Sequence, residues 1–441
     1  MNEPLSKYGV FTAAPGEDLH GKLTLDRSKS ELELWSDHPI DGLTDGYQTI
    51  TGELEDGKTV TLLECIPQAG TLSIGAPTKF AHKYRFLPLY AVVGNHLFDG
   101  EFSHVSFVID DADILFFDPG TFGSKSQDSA RVALQHLNGI PDIEEGTHPF
   151  LSYWTGKTTI LSGDMPVGFV AVEHQPTLTT SYGGGKIDNR IAVSVRFSSP
   201  LDARETEKIV ARICRFLGIL AGRPQNLLHF TVRKEHDGQP YRSTVYMNML
   251  LRRPEEHEFS KLSNPVLALT NTAGQPEEFS RLMSVWLERD ETWDPARSRF
   301  VTGWRKQRWY DEDRMVGAAN AFDLIPQDAV PDSTLKEKVR NRSRLITAAI
   351  GETTPEIDLV TDAAVDLRHY FVHGDRPGKR RRELKRFFMF LTDTLEFVFC
   401  ASDLIESGWD MRSWLNKNVR MNSFGWYLRN YPENLAKLKE H

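Results

Sequence analysis

Three side chains near the C-terminal end of one stretch have the types and spacing to move protons around a phosphate: Arg368, His369 and His373, within EIDLVTDAAVDLRHYFVHG, residues 356 to 374. An arginine never deprotonates near neutral pH, and imidazoles exchange protons there. Cleaving an RNA phosphodiester without metal takes a base for the 2′-hydroxyl, an acid for the leaving 5′-oxygen and a fixed cation for the charge that builds on phosphorus. The spacing suits a helix. His369 and His373 are four residues apart and share a face, while Arg368 lies about 100° round from His369.

The element that must hold these groups reads as one amphipathic helix. Ile357, Val360, Ala364, Leu367 and Phe371 recur at steps of three and four, and Gly374 supplies the stop. Arg368 and the two histidines then sit at the edge of the packed face. A second copy of the helix across that edge would line one cleft with two sets. The bare Arg-x4-His pattern also occurs at Arg131/His136 and Arg252/His257, with an Arg-x5-His at Arg223/His229. What distinguishes the copy at 368 is the long periodic helix, the polar second position, the terminal glycine and the helices around it.

In that setting Arg368-His-Tyr-Phe-Val-His373 resembles the signature of HEPN domains: an arginine, a polar residue, three further residues and a histidine. HEPN domains are all-helical modules of bacterial toxin and antiphage ribonucleases. The whole chain resembles the ApeA family of abortive-infection proteins, including YQTITGELEDGKTVTLLEC (47 to 65) in its N-terminal part. The resemblance implies a metal-independent endoribonuclease acting as a homodimer through its HEPN domain, without cofactor. It further implies tRNA as substrate, phage infection as trigger at the N-terminal region, and Arg368, His369 and His373 as the catalytic set.

After the histidines comes the one sharp charge feature. Arg376, Lys379, Arg380, Arg381, Arg382, Lys385 and Arg386 face a single acid, Glu383. Such a run is usually a solvated face. Here it begins three residues beyond His373, against a chain of net charge −9, so Lys379, Arg380, Arg381, Arg382, Lys385 and Arg386 are candidates for contacting an RNA backbone. Tyr370 is a candidate for base stacking, or for the core.

A rival reading uses the same helix for metal. Asp366, His369 and His373 fall at i, i+3 and i+7, a possible divalent-cation set, although HExxH is absent and no fourth ligand is evident. A third reading is a non-catalytic helical dimerisation module.

The 441 residues are 40% hydrophobic and 26% charged, ordinary values for a globular protein of two or three domains. The N-terminus has no signal-peptide pattern and no apolar run approaches about 18 residues, so a cytoplasmic protein without membrane contact is expected. Cys65, Cys214 and Cys400 are odd in number and far apart, with no CxxC pair, and are expected to be buried thiols.

The fold class expected is α+β: a β-rich N-terminal region, sandwich-like or barrel-like, then an all-helical bundle. Strand patterns occupy 59–67, 104–117, 157–162, 167–174, 191–198, 227–235 and 241–250. Asp202 to Gly222 is a helix embedded among them. The divisions expected are a sensor region over 1–255, a helical connector over 256–296 and the HEPN bundle over 297–441. Helices are expected at 277–288, 313–325, 334–350 with a capping box from Thr334 and Glu337, 356–374, 381–404 and after Trp409. Two phosphate-loop look-alikes are rejected. Gly156-Lys157-Thr158 lacks the glycine a Walker A loop needs, since Leu151 stands there, and Gly183 to Lys186 reads as a turn.

Overall fold

The computed structural model describes residues 3–14, 17–26, 30–40, 43, 46–72, 82–135, 146–181, 184–236, 238–247, 275–304, 310–326, 333–374, 381–416 and 422–440. The N-terminal part opens with β1 (Leu5–Ala14), β2 (Glu17–Leu25), β3 (Glu31–Ser36), β4 (Gln48–Leu54), β5 (Thr59–Leu72) and β6 (His82–Leu87). These pair in the order β5-β4-β1-β2-β3-β6, and β6 returns to β5, which closes a six-stranded antiparallel barrel. Closure removes the sheet edges that would otherwise be open to pairing. Alternation drives it: Leu19, Leu23 and Leu25 on β2 and Leu32 and Leu34 on β3 point inward around Phe11. Phe11 can sit centrally because Gly21 and Gly52 face it. A Cβ on either would come within 2.9 and 2.6 Å of its ring.

The long β5 serves two sheets. Its first half lies between β4 and β7 (Tyr90–Gly94), and its second half pairs with β6. Glu64, at the change of partner, adopts φ +51°, unusual for a residue with a side chain. Arg204 holds the Glu64 carboxylate through Nε at 2.9 and 2.7 Å.

Beyond β7 the same sheet opens out. In chain order come β8 (Phe102–Ile109), α1 (Ala112–Leu115), β9 (Phe122–Ser126), α2 (Gln127–Gln135), β10 (Phe150–Trp154), β11 (Thr159–Met165), β12 (Gly168–Ser181), β13 (Gly184–Leu201), α3 (Ala203–Ala221), β14 (Leu227–His236) and β15 (Gln239–Met247). The open part runs β7-β15-β14-β8-β13-β12-β11, while β9 and β10 pair separately. One expectation needs correction. Residues 104–117 do not form one strand, because the chain turns into α1 after Asp111. Asp111 and Asp110 are held there by Arg223, Gln225 and Asn226. The embedded helix α3 keeps its expected ends: Asp202 accepts from the Glu205 backbone N–H and Gly222 closes at φ +71°.

The C-terminal part is helical: α4 (Pro276–Trp304), α5 (Glu312–Asp323), α6 (Leu335–Ile350), α7 (Ile357–His373), α8 (Phe388–Glu406), α9 (Met411–Asn416) and α10 (Ser423–Lys439). The capping box at Thr334/Glu337 is present on α6. Residues 381–387 are a 3-10 segment rather than the first turns of α8. Arg381/Lys385 and Arg382/Arg386 would be like-charged i,i+4 pairs on an α-helix, which disfavours that form. The 296/297 division falls inside the continuous α4, and residues 256–274 lie outside the described ones.

The helices and the inner face of the open sheet share one core. Phe279 of α4 meets Phe116 and Phe216 at 5.5 and 5.7 Å, and Phe300 stacks on Phe399 of α8 at 4.7 Å. Inside this core lies a charge chain. Arg297, fully buried, binds Asp290 at 2.9 Å and Asp403 at 2.8 and 3.0 Å, and its guanidinium lies 3.6 Å from the Trp286 ring. Arg212 and Arg215 of α3 reach Asp290 from the other side, at 3.0 and 3.3 Å. Arg289 adds a contact to Asp403, and Arg342 of α6 binds Glu406 at 2.6 Å. All three thiols are free; Cys65 and Cys400 are buried as expected, Cys214 only half-buried, and burial pushes Cys65 up to about 12. Among the described residues no helix is long and apolar enough to cross a membrane.

Removing one partner of a buried pair leaves an uncompensated charge. Arg297→Ala should therefore cost about 3–5 kcal/mol in urea unfolding at neutral pH. Burial pushes the Asp403 carboxyl up, but Arg297, Arg289 and Arg342 outweigh it and hold it below the usual carboxylate value. Its contribution is complete above about pH 4 and lost as acid approaches the lowered value. Midpoints measured from pH 7 down to 3 should show this loss in the wild type and a smaller one in Asp403→Asn.

Candidate functional site

Helix α7 packs against α5, α6 and α8. Ile357, Val360, Ala364 and Leu367 are buried as the spacing requires, and Phe371 packs against Phe388 at 5.4 Å. The orientation of α7 is set by polar rungs to α6. Lys336 binds Asp366 at 2.7 Å, Arg340 forks onto Asp362, and the Ser343 hydroxyl donates to Asp358 at 2.9 Å. The rungs follow helical spacing along both antiparallel helices, so they fix register as well as distance. At its end Gly374 takes φ +71°, and its N–H donates to the Tyr370 carbonyl at 2.8 Å.

This leaves Arg368, His369 and His373 on the part of α7 that the rungs do not occupy. Arg368 is half-buried. Its Nη2 donates to the Asn320 side-chain oxygen of α5 at 2.7 Å, and its Nε is buried without a hydrogen-bond partner among the described residues. No carboxylate pairs with it among those residues. A neutral amide thus fixes its position and leaves its charge uncompensated, which suits a group meant for an incoming anion.

His369 Nδ1 lies 2.8 Å from the Val365 carbonyl oxygen. A carbonyl only accepts, so Nδ1 carries the proton, and in the neutral ring Nε2 holds the lone pair. His373 is exposed, with its ring centroid 6.0 Å from that of His369. The two imidazoles, one with a defined free nitrogen and one facing solvent, therefore lie near each other, while Arg368, about 100° round the helix from His369, is held toward α5.

The basic run is described in part. Arg382, Lys385 and Arg386 are exposed on the 3-10 segment, which packs against α7. Lys385 Nζ sits 4.8 Å from the centre of the Tyr370 ring and 5.5 Å from that of Phe371. Tyr370 is half-buried against the core beneath this cation. Arg376, Lys379 and Arg380 lie outside the described residues, as does the side chain of Arg381. The metal reading loses geometric support, since Asp366 is engaged by Lys336. Among the described residues no group of three His, Cys, Asp or Glu is placed to hold a cation.

Two of the other sequence features have structural uses. Lys157 binds Asp118 at 3.0 Å, and Arg223 is buried against Asp111. His136, Arg252 and His257 lie outside the described residues.

A feature not anticipated from sequence is a cleft of about 550 Å³ between α5, α8 and α10. Tyr310 donates to Asp393 at 2.6 Å there, and Arg314 forks onto Glu396 at 2.6 and 2.8 Å. Arg386 of the basic run stands at its rim, whereas the α7 histidines do not line it. Burial and the Glu396 charge push the Asp393 carboxyl up to about 7. The signal available in the sequence was Asp393 and Glu396 within the otherwise apolar MFLTDTLEFVFC.

Comparison with known families finds two matches. The model for ApeA N-terminal domain 1 matches residues 6–275, more than half the chain, and that for Apea-like HEPN matches residues 318–413. The first ends where α4 begins, and the second contains Asn320 and all of α7. No curated protein and no solved structure matches the chain.

Two measurements test this geometry. Nitrogen NMR of labelled histidine should find neutral His369 protonated at Nδ1, and the Nε2–H form would refute the assigned hydrogen bond. For Asp393 the sign is opposite to that of Asp403. The native state holds a proton that the unfolded chain releases near 4, so stability should fall as pH rises from about 4 to 7. Asp393→Asn should remove that slope in thermal unfolding.

Proposed function

Since this chain belongs to the ApeA family and carries its HEPN domain, that of an antiphage nuclease-type protein, we propose that it is a metal-independent endoribonuclease whose catalytic set is Arg368, His369 and His373. The observation that carries the reading is Arg368: a cation held by Asn320, without a carboxylate partner among the described residues, beside an imidazole whose Nε2 is left available.

In the reaction one imidazole takes the proton of a 2′-hydroxyl, and that oxygen forms a bond to phosphorus. The bond from phosphorus to the 5′-oxygen breaks, and the second imidazole returns a proton to the leaving oxygen. The products are a cyclic phosphate and a 5′-hydroxyl. Arg368 stabilises the negative charge that gathers on the equatorial oxygens. Lys379, Arg380, Arg381, Arg382, Lys385 and Arg386 steer and hold the backbone, and Tyr370 lies beneath one of these cations. We assign tRNA as the substrate, a homodimer through the HEPN domain as the active form, and the cytoplasm as its place of action. In this reading residues 1–255 form a region that restrains the nuclease until a phage-derived trigger binds, 256–296 connect, and 297–441 cleave.

The test is incubation of total tRNA with the full-length chain in EDTA, with and without infected-cell extract. Cleavage should persist in chelator and leave cyclic phosphate ends. It should drop about 10²–10³-fold in Arg368→Ala and about 10²–10⁴-fold in His373→Ala. Loss of cleavage in EDTA would shift the chemistry to metal. Wild-type activity in both variants, or no cleavage by the wild type under any of these conditions, would leave a non-catalytic helical module.

A further inference from the structure

The face of the open sheet turned away from the core carries an arrangement that the α7 chemistry does not use. Strand register places Arg196 of β13 opposite His104 of β8, and Arg233 of β14 opposite Arg242 of β15. Val232 pairs with Val105, so the next residue, Arg233, comes alongside His104. Arg196, His104, Arg233 and Arg242 therefore form one row across four adjacent strands, about 14 Å long at the usual strand spacing. The inward neighbours Val105, Val195 and Val232 are in the core, which fixes the row on the outer face. The next row on that face is made of hydroxyls: Ser194, Ser106, Thr231 and Thr244.

Like charges directly opposite across strands destabilise a sheet, and little here offsets them. Glu173 binds Arg233 at 2.8 Å, while Arg196 and Arg242 are exposed and form no ion pair among the described residues. The acids on the row's own face are Glu173, Glu235 and Asp164, the last exposed on β11 in register with Phe169. Arg233 Nε is buried without a hydrogen-bond partner among the described residues. Burial and the charges of Arg233 and Arg196 drive His104 down to about 4, so the row holds a neutral imidazole between cations. At the β12 end, Phe169 pairs in register with Arg196 and exposes 39% of its surface.

A row of cations longer than one phosphate, flanked by an exposed aromatic ring, matches the demands of a single nucleic-acid strand: charge along the backbone and a platform for a base. We propose that this face of the N-terminal region is a binding site for single-stranded nucleic acid, with Arg196, Arg233 and Arg242 on phosphates and Phe169 under a base. The inference is independent of whether the HEPN site cleaves.

The probe is a fluorescein-labelled oligodeoxythymidylate of about 15 nucleotides, near the upper site size of small single-strand binders. It lacks the 2′-hydroxyl, so the proposed nuclease chemistry cannot consume it. Anisotropy with the full-length chain should show Arg196→Glu/Arg242→Glu weakening binding at least about tenfold and lowering the salt slope by about 1.4, the share of two phosphate contacts. Arg196→Lys/Arg242→Lys should keep the slope. Phe169→Ala should lose affinity several-fold without changing it. Lys186→Glu should stay within about twofold of wild type, and in an Arg382→Glu/Lys385→Glu background the Arg196/Arg242 reversal should still weaken binding about tenfold. Thermal melts confirm that each variant is folded. The proposal is overturned if the wild type does not bind the strand, or if the Arg196/Arg242 reversal binds as wild type. It is also overturned if the Arg382/Lys385 reversal alone abolishes binding, or if inorganic tripolyphosphate competes at equal phosphate concentration.

Discussion

A buried arginine between two buried aspartates, Arg297 between Asp290 and Asp403, is the contact on which the arrangement of the two regions depends. The three charges lie outside water's reach and are tolerable only together. Asp290 and Arg297 both belong to α4: Asp290 receives Arg212 and Arg215 from the helix embedded in the β region, and Arg297 reaches Asp403 of α8. A hydrophobic contact between the same helices would tolerate sliding, because apolar burial has no direction. Forked guanidinium bonds do not, since they lose alignment within fractions of an ångström.

That rigidity reaches α7 by a second set of polar contacts. Arg342 joins α6 to α8 through Glu406, and α6 carries the Lys336, Arg340 and Ser343 rungs that grip α7. The rungs use up the acids of α7, Asp358, Asp362 and Asp366. The acidic content of this helix is thereby spent on position, and Arg368 stands near its end without a carboxylate partner among the described residues. An arginine that had found Asp362 or Asp366 would be a structural ion pair. One held by Asn320 keeps its charge for something else.

What the sequence disclosed follows the range of the forces involved. Periodicity and caps are local, so α3, α6 and α7 were legible with their ends: Asp202 and Gly222, Thr334 and Glu337, Gly374. The nearness of His369 and His373 was legible because one helical turn brings them together. Contacts across long separations were not. Nothing near Arg368 announces Asn320, forty-eight residues earlier. Closure of the barrel depends on β5 pairing on both sides and changing partner at Glu64, which leaves no periodic trace. Asp290, Arg297 and Asp403 are charged residues in helical patterns, the usual mark of a solvated face, and only packing shows them buried. The failure at 104–117 is of the same kind. A run of Val, Ile and Phe reads as strand, but Asp110 and Asp111 are bound by residues more than a hundred positions later.

The continuity of the core also limits how the two regions can influence each other. The inner face of the open sheet and the helices bury one set of side chains, and the outer face of that sheet carries the Arg196 to Arg242 row. A ligand on the outer face is separated from the α3–α4 interface by the thickness of one sheet. Close-packed layers of this kind pass on displacement rather than absorb it. A shift of the sheet carried through the described core meets α3 and α4 first, where Arg212 and Arg215 grip Asp290. From Asp290 the route runs through Arg297 and Asp403 to α8, which packs against α7. The charge chain that joins α3, α4 and α8 thus lies on the packed route between the sheet and the helix that carries the histidines.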